Sequence, residues 1–72
     1  MPRYAISKIS FFDNELTTVI VEAINADQAL IKENIHDYLG LTERELELTS
    51  MQDLKQLAFD SDSMINVIEI PE

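Results

Sequence analysis

The stretch LTTVIVEAINADQALIKENIHDYL, residues 16–39, predicts a strand that runs directly into a helix. The strand is predicted over residues 16–24, because the β-branched run 17–21 favours a pleated backbone. After it, either Asn25 or Asp27 is suited to cap the helix. The helix has one broad apolar side, formed by Leu30, Ile31, Ile35, Tyr38 and Leu39. Gly40 follows, where a left-handed residue commonly ends a helix.

The segments on either side predict the order ββααβ. Residues 4–12 form the first strand, and a turn at Asp13 and Asn14 joins it to residues 16–24 as a hairpin. The apolar residues of this strand change parity between Ile6 and Ile9, so we expect a bulge near residues 7–8. A second helix is predicted over residues 51–59, with a cap spacing at Ser50, and residues 64–70 form the closing strand.

Residues 43–48 carry two conflicting patterns. Thr42 and Glu45 have capping-box spacing, which predicts a helical turn from Glu43. The run 45–48 alternates between acidic and apolar residues, as a strand does. We favour the short helical turn.

These elements predict one α+β domain over residues 1–72, a three-stranded sheet with the helices on one face. A chain of this length has room for one small core. Two helices and the inward sides of the strands would supply it. The expected core residues are Ile6, Val19, Val21, Leu30, Ile35, Leu54, Leu57 and Val67.

The net charge of −9, from fourteen acidic and five basic residues, bounds the function. Phosphate contacts need lysine and arginine, so direct nucleic-acid binding is not expected, and neither is binding to an anionic membrane surface. No apolar run approaches the roughly 20 residues of a membrane span, and the first residues are too polar for a signal peptide. The absence of cysteine fits a cytoplasmic protein.

The sequence contains no complete pattern of catalytic, cofactor-binding or metal-binding residues. The single histidine, His36, falls towards the polar side of the first helix, which favours a solvated surface residue. Asp60 and Asp62 begin like a calcium loop, but Met64, Ile65 and Pro71 occupy positions that need a ligand, a glycine and a glutamate. We therefore expect neither an enzyme nor a cofactor.

Two candidate interaction surfaces remain. The first is a dense set of carboxylates, which either keep the protein soluble or bind a basic partner: Glu43, Glu45, Glu47, Asp53, Asp60 and Asp62. The second is an apolar excess on the sheet face away from the helices, at Ile20, Ile24 and Ile68. Such a face indicates either self-association, for example as a homodimer, or contact with a partner protein. The alternatives are helices that wrap further or a bulge that reverses one strand.

A hairpin that enters a helix through VEAINADQAL, residues 21–30, followed by an acidic helical segment and a closing strand, resembles small phage and prophage proteins. Among these, acidic anti-CRISPR proteins are similar in element order along most of the chain. The resemblance implies a stoichiometric inhibitor that occupies a nucleic-acid-binding surface, and it assigns no individual residues.

The leading hypothesis is thus a non-enzymatic inhibitor that blocks a basic surface of a host defence or regulatory protein. The alternative is a self-associating structural or regulatory protein that uses its apolar sheet face.

Overall fold

A computed structural model describes residues 1–71. Three antiparallel strands form one sheet, β1 (Arg3–Ser10), β2 (Glu15–Glu22) and β3 (Ser63–Ile70), in the order β2-β1-β3. Between β2 and β3 lie four short helices, α1 (Ala26–Lys32), α2 (Ile35–Tyr38), α3 (Glu43–Glu47) and α4 (Met51–Asp60). The α+β class and the three-stranded sheet are confirmed, and the helices pack on one face of it.

The predicted bulge in the first strand is wrong. Pairing between β1 and β2 runs without interruption from Arg3↔Glu22 to Ser10↔Glu15, and β1 pairs equally continuously with β3. Ile9 therefore keeps its parity and lies on the face away from the helices. Phe11 lies outside the strand, in the turn that Asn14 completes at φ 52°, as expected for an asparagine in a turn.

The predicted first helix is divided in two. Asn34 adopts a left-handed conformation, φ 56°, which separates α1 from α2 and which asparagine tolerates better than most residues. The end at Gly40 is as predicted: its φ is +76°, its N–H donates to the Asp37 carbonyl, and the Leu41 N–H donates to the His36 carbonyl at 2.8 Å. This pair of bonds is a Schellman motif.

The ambiguous segment is helical. Thr42 Oγ1 accepts from the Glu45 N–H at 3.1 Å, and Glu45 Oε1 accepts from the Thr42 N–H at 2.9 Å, so the capping box is complete. The strand-like alternation of this segment has another cause: α3 turns Leu46 into the core, while Leu48 follows the helix and remains exposed.

Most of the predicted core is confirmed. Ile6, Val21, Leu30, Ile35 and Leu54 are buried, and Val19 and Val67 pack against them, whereas Leu57 is only half-buried. The buried core also contains several residues outside that list: Tyr4, Ala23, Ala29, Leu46, Ala58 and Ile65. Ser63 is also fully buried, and its hydroxyl donates to the Ala58 carbonyl, which ties β3 to α4.

Candidate functional site

Helix α1 packs against α3, with Asp27 in the first turn of α1 and Glu47 at the end of α3. Asn25 is the cap of α1, since its side chain accepts from the Gln28 N–H at 2.9 Å, and this leaves Asp27 exposed in part within the first turn. Burial, and to a lesser extent the charge of Glu47, raises the pKa of Asp27. A negative charge on Glu47 is thus close enough to disfavour a second one on Asp27.

Glu43 extends this group. It precedes Glu47 by four residues on α3, a spacing that places two side chains on the same side of a helix, with Cβ atoms about 5–6 Å apart. Both are exposed. We call Asp27, Glu43 and Glu47 the acidic corner.

The six predicted acidic residues are all exposed, and they lie on α3, at the two ends of α4 and in the turn before β3. Asp53 lies in the first turn of α4, and Asp60 is its last residue. They are seven positions apart on the helix, which is about 10 Å along its axis. Asp62 follows in the turn before β3, so Asp60 and Asp62 belong to the far end of α4.

Two of the six carboxylates are already engaged within the chain. Glu45 completes the capping box, and Asp60 Oδ1 accepts from the Gln56 side chain at 3.0 Å. Asp62 has a left-handed backbone, φ 59°, and its carbonyl accepts from the Phe11 N–H. These three residues therefore have structural roles whatever they bind.

The sheet face away from the helices is open, and its side chains lie in rows across the strands. One apolar row contains Ala5, Ile20 and Ile68, and another contains Ile9, Leu16 and Met64. Between them lies a polar row of Ser7, Thr18 and Asn66, in which the Ser7 and Thr18 hydroxyls are 3.2 Å apart. Ile20 and Ile68 are 64% and 58% exposed, as predicted for an uncovered face.

Ile24 is exposed but lies two residues beyond the end of β2, so it is outside these rows. Leu16 and Met64 are exposed within these rows, and they were not named as interface residues. Asp27 was missed because nothing in the sequence indicates that it approaches a residue twenty positions away.

A further apolar cluster lies at the turn between β1 and β2. Phe11 contacts Phe59 edge-to-face, with ring centroids 6.4 Å apart, and both rings are exposed. Phe12, in the same turn, is 83% exposed. No periodic pattern in the sequence predicts this cluster, because its members come from a turn and from the polar side of α4.

His36 differs from the solvated residue that was predicted. It is half-buried, and its Nδ1 atom is buried without a hydrogen-bond partner in the described part of the chain. Within residues 1–71, no group of three histidine, aspartate or glutamate side chains is arranged to hold a metal ion. No helix in the same range is both long enough and apolar enough to cross a membrane.

The pKa of Tyr4 is raised by burial and by the Glu69 carboxylate, which accepts from its hydroxyl at 3.2 Å. This tyrosine closes the helix-covered side of the sheet near the chain termini.

Comparison with protein-family models, with characterised proteins and with solved structures found no match to this chain.

Proposed function

We propose that this chain is a non-enzymatic binding module whose helical layer covers a basic, nucleic-acid-binding surface of another protein. The observation that carries the proposal is the acidic corner, where burial and, to a lesser extent, the charge of Glu47 raise the pKa of Asp27. The charge of Glu47 disfavours a negative charge on Asp27 in the free protein, and an arginine or lysine bound near both carboxylates relieves this repulsion.

The helical layer as a whole has a net negative charge. Residues 26–60 contain eight acidic side chains and three basic ones, Lys32, Arg44 and Lys55. Lys32 is engaged by the Glu22 carbonyl, to which its Nζ donates at 2.6 Å. The helical layer therefore has a net negative potential that attracts a basic surface from a distance.

The mechanism is competition. A protein surface that binds nucleic acid has lysine and arginine side chains spaced to contact phosphates. Carboxylates on a folded domain contact the same cations and exclude the nucleic acid sterically. A host defence or regulatory protein is the expected class of partner. We propose the cytoplasm as the location of the module. A chain without cysteine forms no disulfide, so it can fold in that reducing compartment.

The test begins with capture of a partner from a host lysate, followed by measurement of association rate against salt concentration. The informative variant is Glu43→Gln with Glu47→Gln, which removes two charges from the acidic corner and leaves the capping box intact. Its matched control is Asp13→Asn with Glu15→Gln, which removes two exposed charges at the β1–β2 turn. A third variant, Asp60→Asn with Asp62→Asn, tests the far end of α4.

The acidic-corner variant should associate more slowly than the control, with a shallower salt dependence, because long-range charge governs the encounter rate. A nucleic-acid ligand of the partner should compete with the parent protein for the same site. If the acidic-corner variant and the Asp60→Asn, Asp62→Asn variant both associate as fast as the parent, with the same salt dependence, the carboxylates that they replace are not the binding surface. Melting temperatures measured first exclude loss of fold as the cause.

A further inference from the structure

The open sheet face is almost free of charge in a strongly acidic protein. Twelve side chains point to this side of the three strands, and among them only Arg3 and Glu22 are charged. These two face each other across the β1–β2 pair. Of the fourteen acidic residues, the open face thus contains one, so two copies can approach here with less repulsion than elsewhere.

Three of the four rows are arranged symmetrically about the polar Ser7 row, and the fourth, with Arg3, Glu22 and Ile70, lies at one end of the face. The Ser7 row is flanked on each side by an apolar row, two residues away along the strands. A two-fold axis along the Ser7 row places the Ala5 row of one copy over the Ile9 row of the other. Ile20 then lies opposite Leu16, Ile68 opposite Met64, and the small Ala5 opposite Ile9.

We infer that the open sheet face is the interface of a homodimer, in which two sheets stack face to face and the helices lie outside. An isologous contact of this kind needs a self-complementary surface, which the symmetric rows provide. The Ser7, Thr18 and Asn66 side chains meet their own copies at the axis, where hydroxyl and amide groups pair with each other.

The area of the open face determines how strongly the dimer is expected to associate. Three strands of eight residues cover a flat area of about 26 by 14 Å, at roughly 3.3 Å per residue and 4.8 Å per strand. That is about 370 Å² of flat area per copy, or about 740 Å² for the pair, which is below the roughly 1,200–2,000 Å² of stable specific interfaces and in the range of weak, transient ones. The dimer is therefore a reversible one that forms with rising concentration.

Sedimentation equilibrium from micromolar to millimolar concentration tests this inference. The parent protein should pass from monomer to dimer, and the dimer should tighten as salt rises, because two copies of charge −9 repel each other less when screened. This salt dependence is opposite to that expected for the acidic corner, so the two proposals succeed or fail separately. A monomer throughout the range would overturn the inference.

Two variants test the face and its register. Ile20→Lys and Leu16→Glu should each give a folded monomer, and their mixture should form a heterodimer in which the new lysine meets the new glutamate. Leu48→Lys is the control, since Leu48 is exposed on the helical layer, and it should remain as dimeric as the parent. An Ile20→Lys protein that still forms dimers would overturn the choice of face. A mixture that stays monomeric would overturn the row pairing.

Discussion

The two faces of the sheet differ although they are made by the same three strands. On β3, Ile65 is 5% exposed beneath the helices, whereas Ile68, three residues on, is 58% exposed. The covered face has an apolar core closed by α1 and α4, and the charged side chains lie mainly on the outer surface of that helical layer. The open face has apolar rows but almost no charge. The two sides of the molecule therefore differ in chemistry, one charged and one apolar, and each of the two proposals rests on one of them.

The largest expected effect comes from a matched pair on β3. Ile65→Ala leaves a cavity beneath α4 and should cost about 2–5 kcal/mol in the free energy of unfolding. Ile68→Ala removes a side chain that is mostly in solvent and should cost the monomer no more than about 1 kcal/mol. Denaturant unfolding at low concentration measures both values. Equal losses for the two variants would show that the faces do not differ as described.

Gly40→Ala should affect the helical layer alone. A β-carbon at this position meets no atom within 4 Å, so its cost comes only from the left-handed backbone. We expect a loss of about 1 kcal/mol, and a smaller one for Gly40→Asn, because asparagine tolerates this conformation better. The dimer dissociation constant should not change. A change in dissociation constant without loss of stability would contradict the separation of the two layers.

Thr42→Ala should have an effect of about the same size or smaller. It removes the hydroxyl that caps α3, the helix that holds Leu46 in the core, and should cost about 1 kcal/mol. Thr42→Ser keeps the oxygen and is the control. Thermal unfolding of the two variants side by side measures the difference, and identical melting temperatures would mean that the capping box contributes nothing.

The smallest effect concerns pH. The raised pKa of Asp27 means that the folded state holds this proton more tightly than the unfolded state does. The resulting stabilisation is complete below the ordinary carboxyl pKa of about 4, and it is lost as pH rises through the raised value. Asp27→Asn removes this dependence, so its stability relative to the parent should increase from acidic to neutral pH. A constant difference across this range would show that neither burial nor Glu47 raises the pKa of Asp27.

Local sequence signals predicted much of the fold. The β-branched run 17–21 located β2, the single glycine at Gly40 located the end of α2, and the cap spacings at Thr42 and Ser50 located the starts of α3 and α4, because each signal acts within a few residues. The break at Asn34 was missed because the apolar periodicity of the helix continues on both sides of it. The pattern gives no sign that one residue between them is left-handed. The bulge was predicted because Ile9 was assumed to be buried with Ile6. Ile9 instead lies on the open face, so the strand needs no bulge.

The candidate surfaces were predicted less completely. The parity of β2 and β3 placed Ile20 and Ile68 on the open face, as the structure confirms. The acidic residues were grouped by sequence density, yet the length of α4 separates Asp53 from Asp60, and the approach of Asp27 to Glu47 depends on tertiary packing. Contacts between distant segments have no local signal, so the acidic corner emerged only from the fold.

The most direct test of the difference between the faces is NMR of isoleucine methyl groups in the presence of a soluble paramagnetic agent. At low concentration, Ile20 and Ile68 should broaden strongly, while the core methyls of Ile6, Ile35 and Ile65 stay sharp. At high concentration, Ile20 and Ile68 should become protected as two open faces meet, and Ile24, outside the rows, should remain accessible. Protection of Ile20 and Ile68 in the dilute monomer, or equal broadening of Ile65, would contradict the account.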